Sequence, residues 1–454
     1  MHSSPPDRNL WEPWFRSLSK IARLDGFVWH SGLQAIGKGR FAHRGLALLI
    51  CFGLMVGGCG LPQVSAESRL LLPLSVDFLG AYLLPAQQIM DTPVGGLSAL
   101  AYDRQTDQFL ALSDDRSNLA PARFYTLKIS WRSTDNPNPA KASVSDQNSA
   151  PSSVKVGQTI DRVTVENVTI LRDESGEPFA AGEIDPEGLA ITPRNTVLIS
   201  SEGDVKQGIL PMIREFDRKT GMATRSPLPL PSRYLPGNAA DGSPQGIRDN
   251  LGFEALGIVP VGANPSPVEP FRAFTATEEN LVQDLEPKPE KTEGDRPTIP
   301  PRSRILHFSL GDGPPFPISE HLYEMDPASS TAISNGLVEL TPLDQGGHFL
   351  SLERTFDPLE GFGAKLFQVE LGTATDTSSY ANLRGALPDV KPVYKKLLLD
   401  FKTLGIPIDN LEGLTLGPRL PDGRQSIILV SDNNFREAQV TQFILLALDG
   451  FKAQ

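Results

Sequence analysis

Carboxylates recur in one fixed setting along this 454-residue chain. An acidic-small-Leu segment is followed, after a turn, by an apolar run that ends in Ser or Thr plus a carboxylate. The copies begin at Ser98-Ala99-Leu100 with Ser113-Asp114, and at Glu187-Gly188-Leu189 with Ser201-Glu202. They continue at Glu254-Ala255-Leu256 with Thr277-Glu278, at Val338-Glu339-Leu340 with Leu352-Glu353, and at Glu412-Gly413-Leu414 with Ser431-Asp432. If the repeats fold alike, Asp114, Glu187, Glu202, Glu254, Glu278, Glu353, Glu412 and Asp432 converge on one site. That many like charges cannot share a confined space without raised pKa values or bound cations. Calcium takes six to eight oxygen ligands, so Ca2+ is the expected occupant. Beyond residue 59 only His307, His321 and His348 occur, without metal-ligand spacing, which argues against zinc. Arg116 and Arg354 each sit beside a carboxylate of the set, placed either to contact an anionic substrate or to pair with that neighbour. The plain alternative is that each Glu caps a turn by accepting a backbone N–H, repeated because the unit is repeated.

The elements that would position these groups are short and β-rich: 109–113, 124–129, 196–200, 272–277, 304–310, 348–354, 365–371, 426–431 and 443–448. Repeat starts at 98, 187, 254, 338 and 412 define five copies, each supplying three or four strands. The expectation is an all-β fold, a β-propeller of five or six blades with an acidic central channel. Residues 71–84 could close the ring by pairing with the C-terminal strand 443–448. A pair of β-sandwiches is the alternative, but it leaves the recurrence of the carboxylate without a reason. The best helical stretch is 389–403, and Pro392 interrupts it. Residues 133–153 and 283–303, rich in Ser, Asn, Pro and charge, read as unstructured loops.

These motifs, with Asn250–Gly257 (NLGFEALG), Gly346–Phe356 (GGHFLSLERTF) and Asn410–Leu416 followed by Ile428–Asn434, resemble the phytase-like family of exported bacterial proteins, described as having the esterase-like activity of phytase. The resemblance runs from about residue 90 to 450. Asp185-Pro186-Glu187-Gly188-Leu189, then Ser200-Ser201-Glu202-Gly203, is also similar to the D-x-E-G-L…S-S-Q-G stretch of calcium-dependent propeller phytases. That likeness implies Asp185 and Glu187 as calcium ligands, with Glu202 standing where those proteins have Gln. Their Asp-Asp-Pro-Ala element is matched only by Asp114-Asp115, followed here by Arg116.

Composition bounds the partners. Lys plus Arg number 42 against 54 Asp plus Glu, a net charge of −12 that argues against nucleic acid. Hydrophobic residues at 39% exclude a polytopic membrane protein, and Gly and Pro at 40 each suit a turn-rich β fold. Gly45–Gly58 is an uncharged apolar run behind Lys38, Arg40 and Arg44; it is short for a membrane span of about 20 residues but fits a signal peptide. Val56-Gly57-Gly58-Cys59 resembles a lipobox with Cys59 as the lipidated residue, and Val64-Ser65-Ala66 offers ordinary cleavage instead. The organisation expected is a signal segment over 1–59, a linker and closing strand over 60–89, and the propeller over 90–454. No G-x-S-x-G elbow, P-loop, H-E-x-x-H or dinucleotide fingerprint occurs. The reading is an exported, monomeric, calcium-dependent phosphoric-ester hydrolase of the periplasm or cell envelope, acting on a small anionic ester. Catalysis falls to Glu187, Glu254 and Glu412 with Arg354 and Arg116. A non-catalytic calcium-stabilised binding propeller and a lactonase-like carboxylester hydrolase remain as alternatives.

Overall fold

Apolar runs this short bury one or both faces only by pairing with their neighbours in sequence, and that is how the chain is built. The computed structural model describes residues 70–134, 157–259, 269–287 and 299–451. Five antiparallel sheets carry the fold. Blade 1 comprises Leu97–Asp103, Gln108–Ser113, Arg123–Thr134 and Gly157–Ile170. Blade 2 has three strands, Pro186–Ile191, Thr196–Ser201 and Met212–Asp217. Blade 3 comprises Phe253–Ile258, Phe271–Thr277, Arg302–Leu310 and Phe316–Glu324; blade 4 comprises Ser334–Pro342, His348–Asp357, Gly361–Glu370 and Tyr394–Asp400. Blade 5 takes Asn410–Arg419, Gln425–Asp432 and Thr441–Asp449 from the C-terminal region and Ser75–Leu84 from the N-terminal side.

The ring is closed by residues far apart in sequence. Ser75 pairs with Asp449 and Leu84 with Thr441, the pairing expected of 71–84. The first strands of the blades touch in cyclic order, 1 to 2, 2 to 3, 3 to 4, 4 to 5 and 5 back to 1. The fold is therefore a five-bladed propeller, the lower of the two expected counts; the closing strand completes the fifth blade rather than making a sixth. Apolar side chains fill the wedges between blades. Val338, Leu350 and Leu352 of blade 4, for example, pack with Leu414, Ile427, Leu429 and Ile444 of blade 5. Each buried Leu or Ile of this kind contributes about 1.5–3 kcal/mol.

Around the axis the backbones crowd, which explains the small residue of the repeat. A side chain at Gly188 would meet the Glu254 carbonyl oxygen at 2.5 Å. In blade 4 the same slot holds Glu339, buried in the channel with its Oε1 accepting from Leu340 N–H at 2.8 Å and with further bonds from the Leu256 and Leu414 amides. Burial pushes its carboxyl up to about 8. Below it the channel retains a cavity of about 150 Å3 lined by the first strands of all five blades.

Two local expectations change. Stretch 389–403 is not helical: Tyr394–Asp400 is the outer strand of blade 4, followed by the 3-10 turn Phe401–Leu404. Pro392 denies the helix its amide, while the neighbouring strand Gly361–Glu370 offers an open edge. Nor is 283–303 loose at both ends, since Asp284 is buried against Arg304 at 2.6 Å and accepts from the Leu383 amide at 2.6 Å. Residues 288–298, most of 133–153, the apolar run Gly45–Gly58, Cys51, Cys59 and Val64-Ser65-Ala66 lie outside the described residues.

Candidate metal centre

In every blade the first two strands share one irregularity. Their register slips between Leu97 and Ala99, Pro186 and Leu189, Phe253 and Ala255, Leu337 and Glu339, and Leu411 and Gly413. The slip is a β-bulge, and the repeat residues Ser98, Glu187, Glu254, Val338 and Glu412 sit in it. A bulge residue leaves the ladder and its side chain is re-aimed; Glu187, Glu254 and Glu412 turn to the channel mouth in this way, while Val338 packs in the wedge between blades 4 and 5. The carboxylates thus converge through bulges, not through turn caps.

Strand register supplies a second ring. The residue after each second-strand partner is Asp114, Glu202, Glu278, Arg354 and Asp432, because Ser113, Ser201, Thr277, Glu353 and Ser431 pair with Leu97, Pro186, Phe253, Leu337 and Leu411. Four acids and one arginine therefore face the mouth from five blades. In blade 4 a glycine makes room for this arrangement: a Cβ at Gly336 would lie 2.2 Å from Glu278 Oε1.

Two triads of carboxylates stand within metal-binding reach. Ligand oxygens of Asp185, Glu187 and Glu202 lie within 4.8 Å of one another, as do those of Glu202, Glu254 and Glu278. Glu202 belongs to both. Its Oε1 accepts from Gly252 N–H at 2.6 Å, while its Oε2 is buried without a hydrogen-bond partner. Both Asp185 oxygens also lack a hydrogen bond, although Arg116 Nη2 approaches Oδ2 at 2.6 Å as a poorly aligned ion pair. Arg116 is steadied from the other side by Asn250 Oδ1 at 2.5 Å.

Arg354 ties the opposite wall together. Its Nη2 lies 2.6 Å from Glu278 Oε1 and its Nη1 3.3 Å from Glu412 Oε1. Asn410 accepts from the same Nη1 at 2.9 Å and donates to Glu412 at 2.9 Å and Asp432 at 3.2 Å. Burial works against the Arg354 charge, but Glu278, Glu412 and Glu254 outweigh it and raise its pKa. The carboxyls respond in the other direction. Burial, then Asp432 and Glu412, push Asp114 well above the usual range. Burial and Glu254 do the same to Glu187, and burial and Glu202 to Glu254. Burial raises Asp185 to about 6 against the pull of Arg116, and Asp432 to about 6 against an amide bond from Asn434. Glu412 reaches about 8 through burial, despite Arg354. Two arginines, Arg116 and Arg354, cannot neutralise so many acids, and the excess is what a cation would relieve.

Above the carboxylates opens a pocket of about 720 Å3. It reaches beyond blade 4 because the hairpin 348–370 keeps pairing past Arg354, with Phe356 opposite Phe362. Their rings lie 4.7 Å apart and form one wall. Asn250, Asn410, Phe356, Phe362 and Arg436 line the pocket but were not expected as site residues, although Asn250, Phe356 and Asn410 belong to the stretches that carry the family resemblance. The signal for Asn410 was there: it stands two residues before Glu412, as Asp185 stands two before Glu187.

One expected member is elsewhere. Glu353 points away from the mouth, accepting from Tyr323 Oη at 2.8 Å and Asp326 N–H at 2.9 Å and pairing with Lys395 at 2.5 Å. Strand alternation explains the error, since Glu353 aligns with Ser113 and Ser201 and the channel position falls to Arg354. Glu353→Gln is expected to leave any reaction at the mouth at its full rate and to lower stability by about 1–3 kcal/mol, read by thermal melting beside a rate assay.

A family model described as "Phytase-like: Esterase-like activity of phytase" matches residues 92–435. No curated protein matches the chain. Among solved structures it is similar to one described as the Dos1 propeller, 8% identical with TM-score 0.31, covering 78% of this chain and 68% of that one. An endo-arabinase from Bacteroides thetaiotaomicron is 9% identical with TM-score 0.35, covering 78% of this chain and 94% of that one. The N-terminal domain of Nup159 is 8% identical with TM-score 0.28, covering 83% and 95%.

Proposed function

This chain belongs to the phytase-like family, and from that premise we propose that it is a calcium-dependent phosphoric-ester hydrolase acting at the channel mouth. The observation that carries the reading is the pair of carboxylate triads joined at Glu202, whose Oε2 is buried without a hydrogen bond. All donors in the two triads are carboxylate oxygens, the chemistry of a hard cation, and the number of further carboxylates nearby favours calcium over magnesium. Asp185, Glu187, Glu202, Glu254 and Glu278 would hold it. When bound, such a cation polarises a phosphoryl oxygen and lowers the pKa of water.

The chain's own groups do the rest. Arg116 and Arg354 present guanidinium groups at the pocket wall, suited to orient phosphate oxygens by charge-assisted hydrogen bonds. Asp114, Glu412 and Asp432 line the pocket outside the triads and, once a bound cation has displaced their protons, are the carboxylates able to take one from attacking water. Export belongs to the same proposal: the apolar run Gly45–Gly58 behind basic residues supports a signal peptide, and Cys59 offers a site for a lipid anchor. A small anionic ester is the substrate and the monomer the working unit.

The test is hydrolysis of p-nitrophenyl phosphate, bis-p-nitrophenyl phosphate and phytate by the purified protein, with calcium and with chelator. Turnover abolished by chelation supports the proposal. Turnover on none of the three, with calcium still raising the melting temperature, would leave a binding module instead. The phenylalanine wall adds a second expectation. Aryl phosphates should be held more tightly than alkyl phosphates of equal charge, and Phe356→Ala should raise the aryl KM about 3–10-fold with little change in the alkyl KM, in line with about 0.5–1.5 kcal/mol for an aromatic pair. Equal losses on both classes would deny the wall any part in substrate choice.

A further inference from the structure

A second group of reactive side chains lies on blade 3, in its two outer strands. Register sets His307 of Arg302–Leu310 directly opposite Ser319 of Phe316–Glu324, and His321 follows two residues later on the same face. The three are hydrogen-bonded in series. His307 Nδ1 is 3.2 Å from Ser319 Oγ, Ser319 Oγ is 3.1 Å from His321 Nε2, and His321 Nδ1 is 3.1 Å from the Thr375 carbonyl oxygen.

Donors and acceptors along this series can be arranged in only one way. A carbonyl oxygen only accepts, so His321 Nδ1 carries a proton and, in the neutral ring, Nε2 is a bare lone pair. Ser319 must then donate its hydroxyl proton to His321, and its oxygen accepts from His307 Nδ1–H. That leaves His307 Nε2 unprotonated, a lone pair buried without a partner. Both rings are neutral near pH 7. Burial, with the charge of Arg272, brings His307 down to about 4, and burial lowers His321 against the pull of Thr375, Asp376 and Glu320. Phe274 stacks on the His307 ring at 4.1 Å and fixes its plane.

A hydroxyl donating to an imidazole whose other nitrogen is held by an acceptor is the arrangement of a base-activated serine nucleophile. Ser319 and His321 are both partly solvent-accessible, and exposed Phe316 and Ile318 on the same strand offer apolar surface to an acyl chain. We propose that Ser319 and His321 form a second, metal-independent acyl-transfer site for small neutral carboxylic esters. Ser319 Oγ bonds to the ester carbonyl carbon while its proton passes to His321 Nε2. The C–O bond to the alcohol then breaks, the alcohol leaves with that proton, and an acyl-Ser319 ester remains. Water attacks this ester, again giving a proton to His321, and the carboxylic acid departs as Ser319 recovers its hydrogen. His307 is a positioning residue: its Nδ1–H holds one Ser319 lone pair and so leaves the hydroxyl proton aimed at His321.

The site stands apart from the mouth chemistry, and its test runs entirely in chelator, so failure of the phosphatase proposal does not bear on it. The full-length protein is treated with a fluorophosphonate probe and with p-nitrophenyl acetate. One adduct per chain is expected, mapped by peptide mass spectrometry to Ser319, together with a burst of p-nitrophenol. Ser319→Ala should lose both while melting at the parent temperature. His321→Gln, which can keep a donor to Thr375, should react about 100-fold more slowly or worse, the scale of a lost general base. No adduct, an adduct on another residue, or an unchanged rate in His321→Gln would each overturn the proposal.

Discussion

Glu202→Gln is expected to abolish metal-dependent turnover and yet to make the metal-free protein more stable. Both consequences follow from the position of one side chain. Glu202 is shared by the two carboxylate triads, so its loss removes a ligand from each. Even partners outside the first coordination shell change metal affinity about 10–100-fold, so loss of a shared ligand should cost at least about 100-fold. The amide keeps the shape of the acid and leaves an oxygen to accept from Gly252, now bonded at 2.6 Å. Its NH2 replaces an oxygen that has no partner and sits among Asp185, Glu254 and Glu278. Burial, Asp185 and Glu278 hold the Glu202 carboxyl well above its ordinary range, so folding costs an uptake of a proton that the unfolded chain has already lost. The amide is a donor facing acceptors without that cost, a change of roughly 1–3 kcal/mol in favour of the folded state near neutral pH. Calorimetric melting in chelator should show a rise of a few degrees, and calcium titration a weakened or absent response. A stability loss in chelator, or unchanged calcium affinity, would mean the triads do not share a cation.

That contrast marks which parts of the site could be read from the sequence. Recurrence of acidic-small-Leu with Ser-carboxylate exposed the repeat, and the repeat implied convergence about an axis. Asp114, Glu187, Glu202, Glu254, Glu278, Glu412 and Asp432 do converge. Asp185 entered only through its likeness to the D-x-E-G-L stretch, yet it stands in one of the two triads, buried and 2.6 Å from Arg116. Glu353 misled because a repeat aligned by composition cannot distinguish neighbouring residues on opposite faces of a strand; only pairing with Leu337 shows that Arg354 takes the channel position. Phe356 and Phe362 stayed hidden for another reason. Their place over the mouth depends on how far one hairpin continues to pair, a length that the apolar pattern does not encode. The bulge was equally silent, although it turns Glu254 and Glu412 inward. Blade number was open at five or six until the partner of Ser75–Leu84 was known.

Stability of the metal-free protein should fall as pH rises from about 4 to 8, the reverse of a domain held by salt-bridged acids. Asp185 and Asp432 are raised from 3.8 to about 6, and Glu412 from 4.5 to about 8, by burial first. In the unfolded chain these groups ionise near their ordinary values, while in the folded one they keep their protons longer. The folded state therefore binds more protons over this window, and the slope of unfolding free energy against pH is negative. The stabilising contribution is complete below about pH 4 and disappears as the pH passes through 6 and then 8. At about 1.4 kcal/mol per unit, three such groups amount to several kcal/mol, titrating as a coupled set. A divalent cation should invert the trend, because it binds the ionised carboxylates and competes with protons. Melting curves in chelator and in millimolar calcium should therefore diverge progressively above pH 6, with the largest gap near pH 8. Glu339 is raised to about 8 as well but lies among channel amides, so Glu339→Gln should remove part of the slope in chelator and none of the calcium-dependent gap. Parallel curves with and without calcium across the whole range would show that the converging acids are reconciled by protons and arginine alone, and would leave no place for the ion.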